Sequence, residues 1–414
     1  MVKIQKTSEL AKLSIAALLI GTSIAAAEDV PVVSVGGTKI SLYGRLELNS
    51  AYEDGITNGL WSAWAGSNAN KDAQGRASLS VARTRLGLNL EGPSKENEPN
   101  LKGKFEADFA GASGYNNFNG SSGFRIRQSW GSVSFKNLGL TLLFGQTDDV
   151  VTPLDPPAVN PSSLNGAGNI GNRRPQIRIT EAVGPVEVAV AATHDRLRAD
   201  DNVASSSPAV QGRLGLKVPA TWAGEKANLA VGVGGLFAKD EAANADNENR
   251  KEKGPNTNLI GVDLSLPIIE ILTLTGEFFK GQNLTRYGDG SLGLNHTSSS
   301  NPKKVQEDGI KSMGWWGALA LKLPANFSVA TGLGMENLDG DVNENDFDKS
   351  EIIPGSRKDN MFIFGNIAYN FTSAAKLTFE YLNLSTDYAN DKAGKKVDSG
   401  NLNRYELNFR YDFK

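Results

Sequence analysis

Apolar and polar residues alternate with a period of two along most of this chain. In the last segment, Arg404 and Glu406 fall on one face of an extended strand, and Tyr405 and Leu407 fall on the other. A period of two is the side-chain repeat of a β-strand. The alternation therefore predicts an all-β fold of about sixteen strands. The predicted strands are 39–52, 78–91, 101–112, 123–136, 139–148, 172–181, 184–197, 208–219, 226–239, 256–267, 270–282, 310–323, 325–339, 357–371, 374–388 and 401–414.

The connections between these strands alternate between short and long. Tight turns such as KNLG at 136–139 and LPAN at 323–326 follow even-numbered strands, whereas polar loops such as 53–77, 283–309 and 340–356 follow odd-numbered ones. Short turns on one rim and long loops on the other are typical of outer-membrane barrels. We therefore predict a transmembrane antiparallel β-barrel with short periplasmic turns and long extracellular loops. A β-sandwich, which shows the same alternation, is the alternative.

The first residues have the features of a secretory signal. Lysines at positions 3, 6 and 12 precede or enter a short apolar run that ends in three alanines at 25–27. Such a segment is removed on export and is too short to span a membrane as a helix. We expect cleavage of residues 1–27, a short periplasmic segment at 28–38, and a single barrel domain at 39–414. The expected location is the outer membrane of a Gram-negative bacterium.

The width of a sixteen-stranded barrel indicates the class of function. Side chains cannot fill such an interior, so an aqueous channel remains. We therefore predict a porin for passive or weakly selective diffusion of small hydrophilic solutes. The alternative is a structural or adhesive outer-membrane barrel without a transport role. An enzyme is not expected, because the chain has only two His and no GxSxG motif, and its net charge of -3 gives no support to nucleic-acid binding.

Arginines recur on the face that the alternation directs inward. Their fixed charges would focus a positive potential inside the barrel, so we predict a channel that favours anions. The alternative is a nearly neutral lumen, in which these arginines pair with Glu47, Glu106, Asp108 and Glu406. The predicted pore-lining arginines are Arg45, Arg83, Arg85, Arg125, Arg127, Arg174, Arg178, Arg213, Arg404 and Arg410.

The fourth predicted strand breaks the simple alternation. Arg125 and Arg127 must face inward, yet Val133 and Phe135 share their parity. A β-bulge, which inserts one residue and shifts the alternation, would resolve the conflict. We predict a bulge or a protein-contacting outer face in this strand.

The loop at 149–171 stands apart from the other long loops because it carries four prolines and several apolar residues. Long loops in compact regions are usually functional or disordered, and the fixed proline angles favour an ordered one. We predict that it folds inward and narrows the channel, with Asp148, Asp149 and Asp155 facing the arginines. The alternative is a loop that caps the rim or packs on a neighbouring subunit.

An acidic stretch at 339–351 resembles a calcium-binding loop only in part. Asp339, Asp341 and Asn343 fit the first ligand positions, but Glu344 stands where Gly is required and Ser350 where the bidentate Glu is required. We therefore predict neither a metal site nor a cofactor. Divalent cations that bridge this loop to lipopolysaccharide remain an open alternative.

Several segments of the first half resemble one family. RTRLGLNLEGP, LKGKFEADFAG, FRIRQSWG, LLFGQTDD and RRPQIRIT, at 83–180, are similar to the DcaP-like porins. This resemblance implies a trimeric sixteen-stranded outer-membrane channel for dicarboxylates and other small organic anions, surrounded by outer-membrane lipid and lipopolysaccharide. It also implies that the arginines at 83, 85, 125, 127, 174 and 178 belong to the channel. The chain departs from the family in having only EDVPVVSVGGT where an N-terminal coiled-coil segment is expected.

Overall fold

The computed structural model describes residues 32–55, 63–67, 75–93, 98–111, 123–194, 203–204, 207–224, 226–239, 241–243, 251–253, 256–284, 310–339, 356–390 and 394–413. The predicted signal segment, residues 1–27, and the acidic stretch beyond Asp339 lie outside this range. Within it, no helix is long and apolar enough to cross a membrane. The strands are β1 (Val33–Val35), β2 (Thr38–Glu53), β3 (Arg76–Ser80), β4 (Arg85–Glu91), β5 (Asn100–Gly111), β6 (Gly123–Phe135), β7 (Leu140–Asp148), β8 (Arg173–Val183), β9 (Val186–Thr193), β10 (Val203–Ala204), β11 (Ala209–Pro219), β12 (Asn228–Ala238), β13 (Glu241–Ala243), β14 (Lys251–Lys253), β15 (Thr257–Ile269), β16 (Leu272–Gln282), β17 (Lys311–Lys322), β18 (Phe327–Asp339), β19 (Arg357–Asn370), β20 (Ala375–Tyr388) and β21 (Gly400–Phe413).

These strands form a closed antiparallel barrel with sixteen strand positions around its wall. The barrel closes where β2 pairs with β21, from Gly44 opposite Phe413 to Glu53 opposite Arg404. β3 and β4 together occupy one of these strand positions, because both pair with β2. β1 forms a short antiparallel hairpin with the start of β2, and β10, β13 and β14 form a small separate sheet. The predicted all-β barrel is confirmed.

The prediction that residues 78–91 form one continuous strand is wrong. It is interrupted at 81–84, where the Thr84 N–H donates to the Val81 carbonyl in a turn, at 2.9 Å. Strand pairing resumes at Arg85, opposite Arg45. Arg83 therefore projects from a turn in the middle of the wall rather than from a strand.

The bulge predicted in the fourth strand, which is β6 in the structure, is confirmed. Along β5, Glu106 lies opposite Gln128 while the next residue, Ala107, lies opposite Ile126, so Arg127 is the inserted residue. The insertion reverses the alternation of β6 beyond this point. The arginines before the bulge and the polar side chains after it can therefore both face inward.

The outer surface of the barrel is apolar. Ile177 is 68% exposed and Phe144 is 60% exposed, and both point away from the interior. Near the short turns, Phe327, Tyr369 and Phe371 form an aromatic group with ring centroids 4.9 and 5.0 Å apart. An apolar band with aromatic residues near its edge suits a bilayer and its interface.

Part of the interior is filled by apolar packing. Leu164 and Ala167 pack with Trp316, Phe362 and Phe364, which project inward from β17 and β19. Ala65, from the described segment 63–67, joins the same cluster. A second cluster joins residues 150, 151 and 170 to the inward faces of β12, β15 and β16. One side of the barrel interior is therefore packed like a protein core.

Candidate functional site

Residues 149–171, called here the inner loop, follow the inner wall of the barrel. The Val150 N–H donates to Gln211 Oε1 on β11 at 3.0 Å, and the Leu154 N–H donates to Glu277 Oε1 on β16 at 2.8 Å. Further along, the N–H groups at 159 and 160 donate to the two oxygens of Glu380 on β20, at 2.7 and 2.8 Å. The loop thus runs inside the barrel from β11 to β20.

Two inward-facing asparagines on β19 add further attachments. Asn360 Nδ2 donates to the Gly166 carbonyl at 2.8 Å, and Asn366 Nδ2 donates to the Pro157 carbonyl at 2.9 Å. At Gly168, φ is +98°, and any β-carbon would collide with the backbone of Trp315 on β17. Only glycine permits this close approach, which brings the loop backbone against the wall.

Sequence reasoning did not identify the side chains that hold the inner loop. Glu277 and Glu380 are buried carboxylates, and Asn360 and Gln211 are buried amides. For Glu277 and Asn360, the available signal was an inward position in strands whose other inward residues are mostly small or apolar. A charged or amide side chain directed at such a face needs a partner, and here the partner is the loop backbone.

The opposite side of the interior carries a cluster of arginines, called here the arginine wall. Its members are Arg45 on β2, Arg83 in the turn before β4, Arg85 on β4, and Arg125 and Arg127 on β6. Because the inner loop is attached to β11, β16, β19 and β20, the unfilled part of the interior lies beside this wall. Arg83 reaches the loop, since its Nη1 donates to the Val159 carbonyl at 2.6 Å.

Three carboxylates lie between these arginines. Arg45 Nε and Arg83 Nε lie 2.7 and 3.3 Å from the carboxylate oxygens of Glu47. Charge-assisted pairs of this kind fix the direction of each guanidinium group.

The other two carboxylates come from β5. Glu106 is 2.8 Å from Arg127 and 3.4 Å from Arg85, and Asp108 is 2.7 Å from Arg125 and 3.1 Å from Arg127. The pairing that would neutralise the lumen is thus present. However, five guanidinium groups share three carboxylates, which leaves an excess of two positive charges on this wall.

The prediction that all ten arginines line the channel is wrong for Arg174 and Arg404. Arg174 is 1% exposed and holds Asp149 at 2.7 Å, while Arg404 is fully buried and pairs with Glu53 and Glu406. Inward parity places a side chain inside the barrel but does not decide whether water reaches it. These two arginines are enclosed with their carboxylates and have structural contacts.

The remaining predicted arginines are each engaged locally. Arg178 donates to the Asp148 carbonyl and to Gln176 Oε1, the latter at 2.9 Å. Arg213 and Arg410 each bind a carboxylate with two nitrogens, at 2.7–2.8 Å from Asp263 and 2.7–2.9 Å from Asp412.

The three predicted acidic residues occupy different settings. Asp149 is buried and also accepts from Gln211 Nε2 at 2.7 Å. Asp148 accepts from Gln128 Nε2 at 2.7 Å and lies 3.5 Å from Arg173. Asp155 is exposed on the inner loop. Within the described ranges, no cluster of three or more His, Cys, Asp or Glu side chains could hold a metal ion.

Comparisons with known proteins agree with this architecture. The structure is similar to the outer membrane channel DcaP of Acinetobacter baumannii, with a TM-score of 0.73 at 18% identity over 92% of this chain and 99% of that one. It is similar to an anion-selective porin from Comamonas acidovorans, with a TM-score of 0.53 at 15% identity over 91% and 100%. A trimer form of OmpT from Vibrio cholerae gives a TM-score of 0.50 at 13% identity over 91% and 100%.

No curated protein sequence matches the chain. The family model of the DcaP outer membrane protein matches residues 7–251, a longer region than the motifs alone indicated. The chain therefore belongs to the DcaP outer membrane protein family.

Proposed function

We propose that this porin conducts small hydrophilic solutes past the arginine wall and favours anions, such as small organic dicarboxylates. The observation that carries the proposal is the charge count on that wall, where five guanidinium groups share three carboxylates. Arginine keeps its charge at any physiological pH, and positive charge inside a low-dielectric tube raises the local concentration of anions.

The inner loop supports the proposal by its position. It occupies the side of the interior opposite the arginine wall, so a passing solute is held close to the guanidinium groups. We propose that the loop narrows the lumen to an eyelet there. An anion can exchange part of its hydration for the forked N–H donors of arginine, which suit a carboxylate.

We also propose a homotrimer embedded in outer-membrane lipid and lipopolysaccharide. The apolar outer band, with side chains such as Ile179 and Val190 half exposed, is suited to lipid or to another barrel. The trimer form of the similar Vibrio cholerae outer membrane protein supports the proposed assembly. The selectivity of the similar Comamonas acidovorans porin supports the anion preference.

The test is the zero-current potential of the purified protein in a planar bilayer under a KCl gradient. The sign expected is that of an anion-selective pore, and a small dicarboxylate is expected to reduce the current. Arg85→Gln removes one of the two excess charges, so it should bring the potential closer to zero. The matched control is Arg85→Lys, which keeps the charge and should keep the selectivity.

Three results would contradict the proposal. A cation-selective potential would show that the excess charge on the wall does not govern permeation. Equal zero-current potentials for Arg85→Gln and the unmodified protein would also show that the charge on the wall does not govern permeation. A folded barrel without any ion current would favour the structural or adhesive role.

A further inference from the structure

The described residues 63–67, called here the strap, belong to the long loop between β2 and β3 and lie inside the barrel. Ala65 is fully buried and belongs to the same apolar cluster as Leu164 of the inner loop. The loop begins at β2, yet the strap contacts β20 and β19, and β21 lies between β2 and β20 in the wall. The strap is therefore displaced away from the arginine wall, toward the packed side of the interior.

Two side chains near the long-loop end of β20 hold the backbone of the strap. The Ala65 N–H donates to Thr386 Oγ1 at 2.9 Å, and the Tyr388 hydroxyl donates to the Ala65 carbonyl at 2.7 Å. On the neighbouring β21, any β-carbon at Gly400 would collide with the backbone of residues 65 and 66. The wall thus satisfies both polar backbone groups of Ala65 and is in close contact with the strap.

A stacked pair fixes the Trp64 side chain of the strap. The register of β19 against β20 shifts between Arg357 and Asp359, and this bulge places Arg357 opposite the inward-facing Tyr388. Arg357 therefore faces the interior, where its guanidinium lies 3.7 Å from the centre of the Trp64 ring. A cation over the face of a tryptophan is attracted by the ring, most strongly where water is excluded. The strap is thus attached to β19 as well as to β20.

Asn360 on β19 links the strap to the inner loop. Its Nδ2 donates to the Ala63 carbonyl and to the Gly166 carbonyl, each at 2.8 Å. Its Oδ1 accepts the Thr386 hydroxyl at 2.6 Å, and the oxygen of that hydroxyl accepts the Ala65 N–H. One continuous network therefore joins the strap, two strands and the inner loop. Hydrogen bonds in a buried network reinforce one another, so loss of the strap weakens the hold on Gly166.

We infer that the strap is a second pore-forming segment, which positions the inner loop and so helps to set the width of the channel. Glu380 and Asn366 hold the inner loop around residues 157–160, whereas Asn360 and the strap hold it around Gly166. This inference rests on the channel function proposed above. It assigns a positioning role to residues that lie outside both the inner loop and the arginine wall.

The first test is single-channel recording of the double variant Trp64→Ala, Tyr388→Phe in planar bilayers. The two substitutions remove the stack and one hydrogen bond of the strap, and they leave Asn360 and its bond to the inner loop in place. Each loss should raise the ratio of released to attached strap by about fivefold, and both together by about twenty-five-fold. We expect a higher conductance, larger fluctuations and a zero-current potential closer to zero than in the unmodified protein.

Two variants serve as controls. Trp64→Phe keeps an aromatic face for Arg357, so it should keep the conductance of the unmodified protein. Tyr381→Phe removes a hydroxyl from the same strand as Tyr388, but this tyrosine faces outward and donates to Asn403. It should leave the conductance and the fluctuations unchanged. Unchanged conductance and fluctuations in the double variant would overturn the inference.

Thiol labelling separates this inference from the proposed function, because it requires no ion current. Leu164→Cys introduces a single thiol, since the chain has no Cys, at a fully buried position of the inner loop. In detergent micelles the thiol should react about twenty-five-fold faster when the double variant is also present. Equal labelling rates would overturn the inference even in a conducting pore, whereas a pore without anion selectivity would overturn only the proposed function.

Discussion

Glu380 holds the middle of the inner loop, and its removal gives a measurable change in the channel. Its two oxygens accept the N–H groups of Val159 and Asn160, and Oε2 also accepts Asn366 Nδ2 at 2.9 Å. Glu380→Ala leaves two buried backbone donors without an acceptor. At about 1–3 kcal/mol for each unpaired group, the loop attachment loses about 2–6 kcal/mol.

A loss of this size exceeds thermal energy several times over, so the loop should leave the wall around residues 157–160. The strand hydrogen bonds of the barrel are not involved, so the barrel should remain folded. We expect a higher single-channel conductance, larger current fluctuations and weaker anion selectivity than in the unmodified protein. Single-channel recording in planar bilayers measures all three quantities.

Glu187→Ala is the matched control for this experiment. Glu187 is an inward-facing, exposed carboxylate on β9 whose ion-pair partner is Arg213, at 3.9 Å, and not the inner loop. The Glu187→Ala substitution removes one negative charge from the interior, as Glu380→Ala does, but it removes no contact with the inner loop. If Glu380→Ala and Glu187→Ala give the same conductance and the same fluctuations, the loop is not held by Glu380 and the reasoning is refuted.

Two further predictions concern the loop and the buried arginines. Deleting residues 155–168 should raise single-channel conductance sharply, because the segment fills part of the interior, and an unchanged conductance would contradict that placement. Arg404→Ala should destabilise the barrel by about 3–5 kcal/mol, since it leaves the carboxylates of Glu53 and Glu406 buried without their partner. Urea unfolding in detergent micelles measures this loss, and Lys102→Ala, an exposed substitution, should show little of it.

The fold was predictable from the sequence because a barrel repeats one local rule many times. The alternation, the predicted signal segment and the loop lengths all pointed to the same architecture. The conflicting alternation in the fourth strand predicted a bulge or a protein-contacting outer face there, and the structure has a bulge at Arg127. The break at 81–84 was missed although the sequence carries a signal for it. Leu79 and Val81 occupy odd positions like Arg83, whereas the outward residues beyond the break, such as Leu86, occupy even ones. The reach of Arg83 to the loop depends on that break.

The site was less predictable. An odd or even position in a strand shows whether a side chain faces the interior, but it does not show whether water or other side chains surround it there. Arg125 and Arg404 both face inward, yet Arg125 is partly exposed on the arginine wall and Arg404 is enclosed with two carboxylates. The attachment of the inner loop depends on contacts between residues far apart in the chain, from 61 positions for Val150 with Gln211 to 221 for Val159 with Glu380. No local pattern encodes such a pairing.

The central claim is that solutes pass along the arginine wall and not behind the inner loop. The chain has no Cys, so each single substitution introduces one unique thiol. Lys104→Cys places it on β5 beside the wall, near the ring of Tyr43, whereas Leu382→Cys places it in the packed cluster, where the native side chain is 1% exposed. Ion current is recorded before and after adding a membrane-impermeant anionic thiol reagent. We predict a reduced current for Lys104→Cys and an unchanged one for Leu382→Cys, and the reverse would contradict the account.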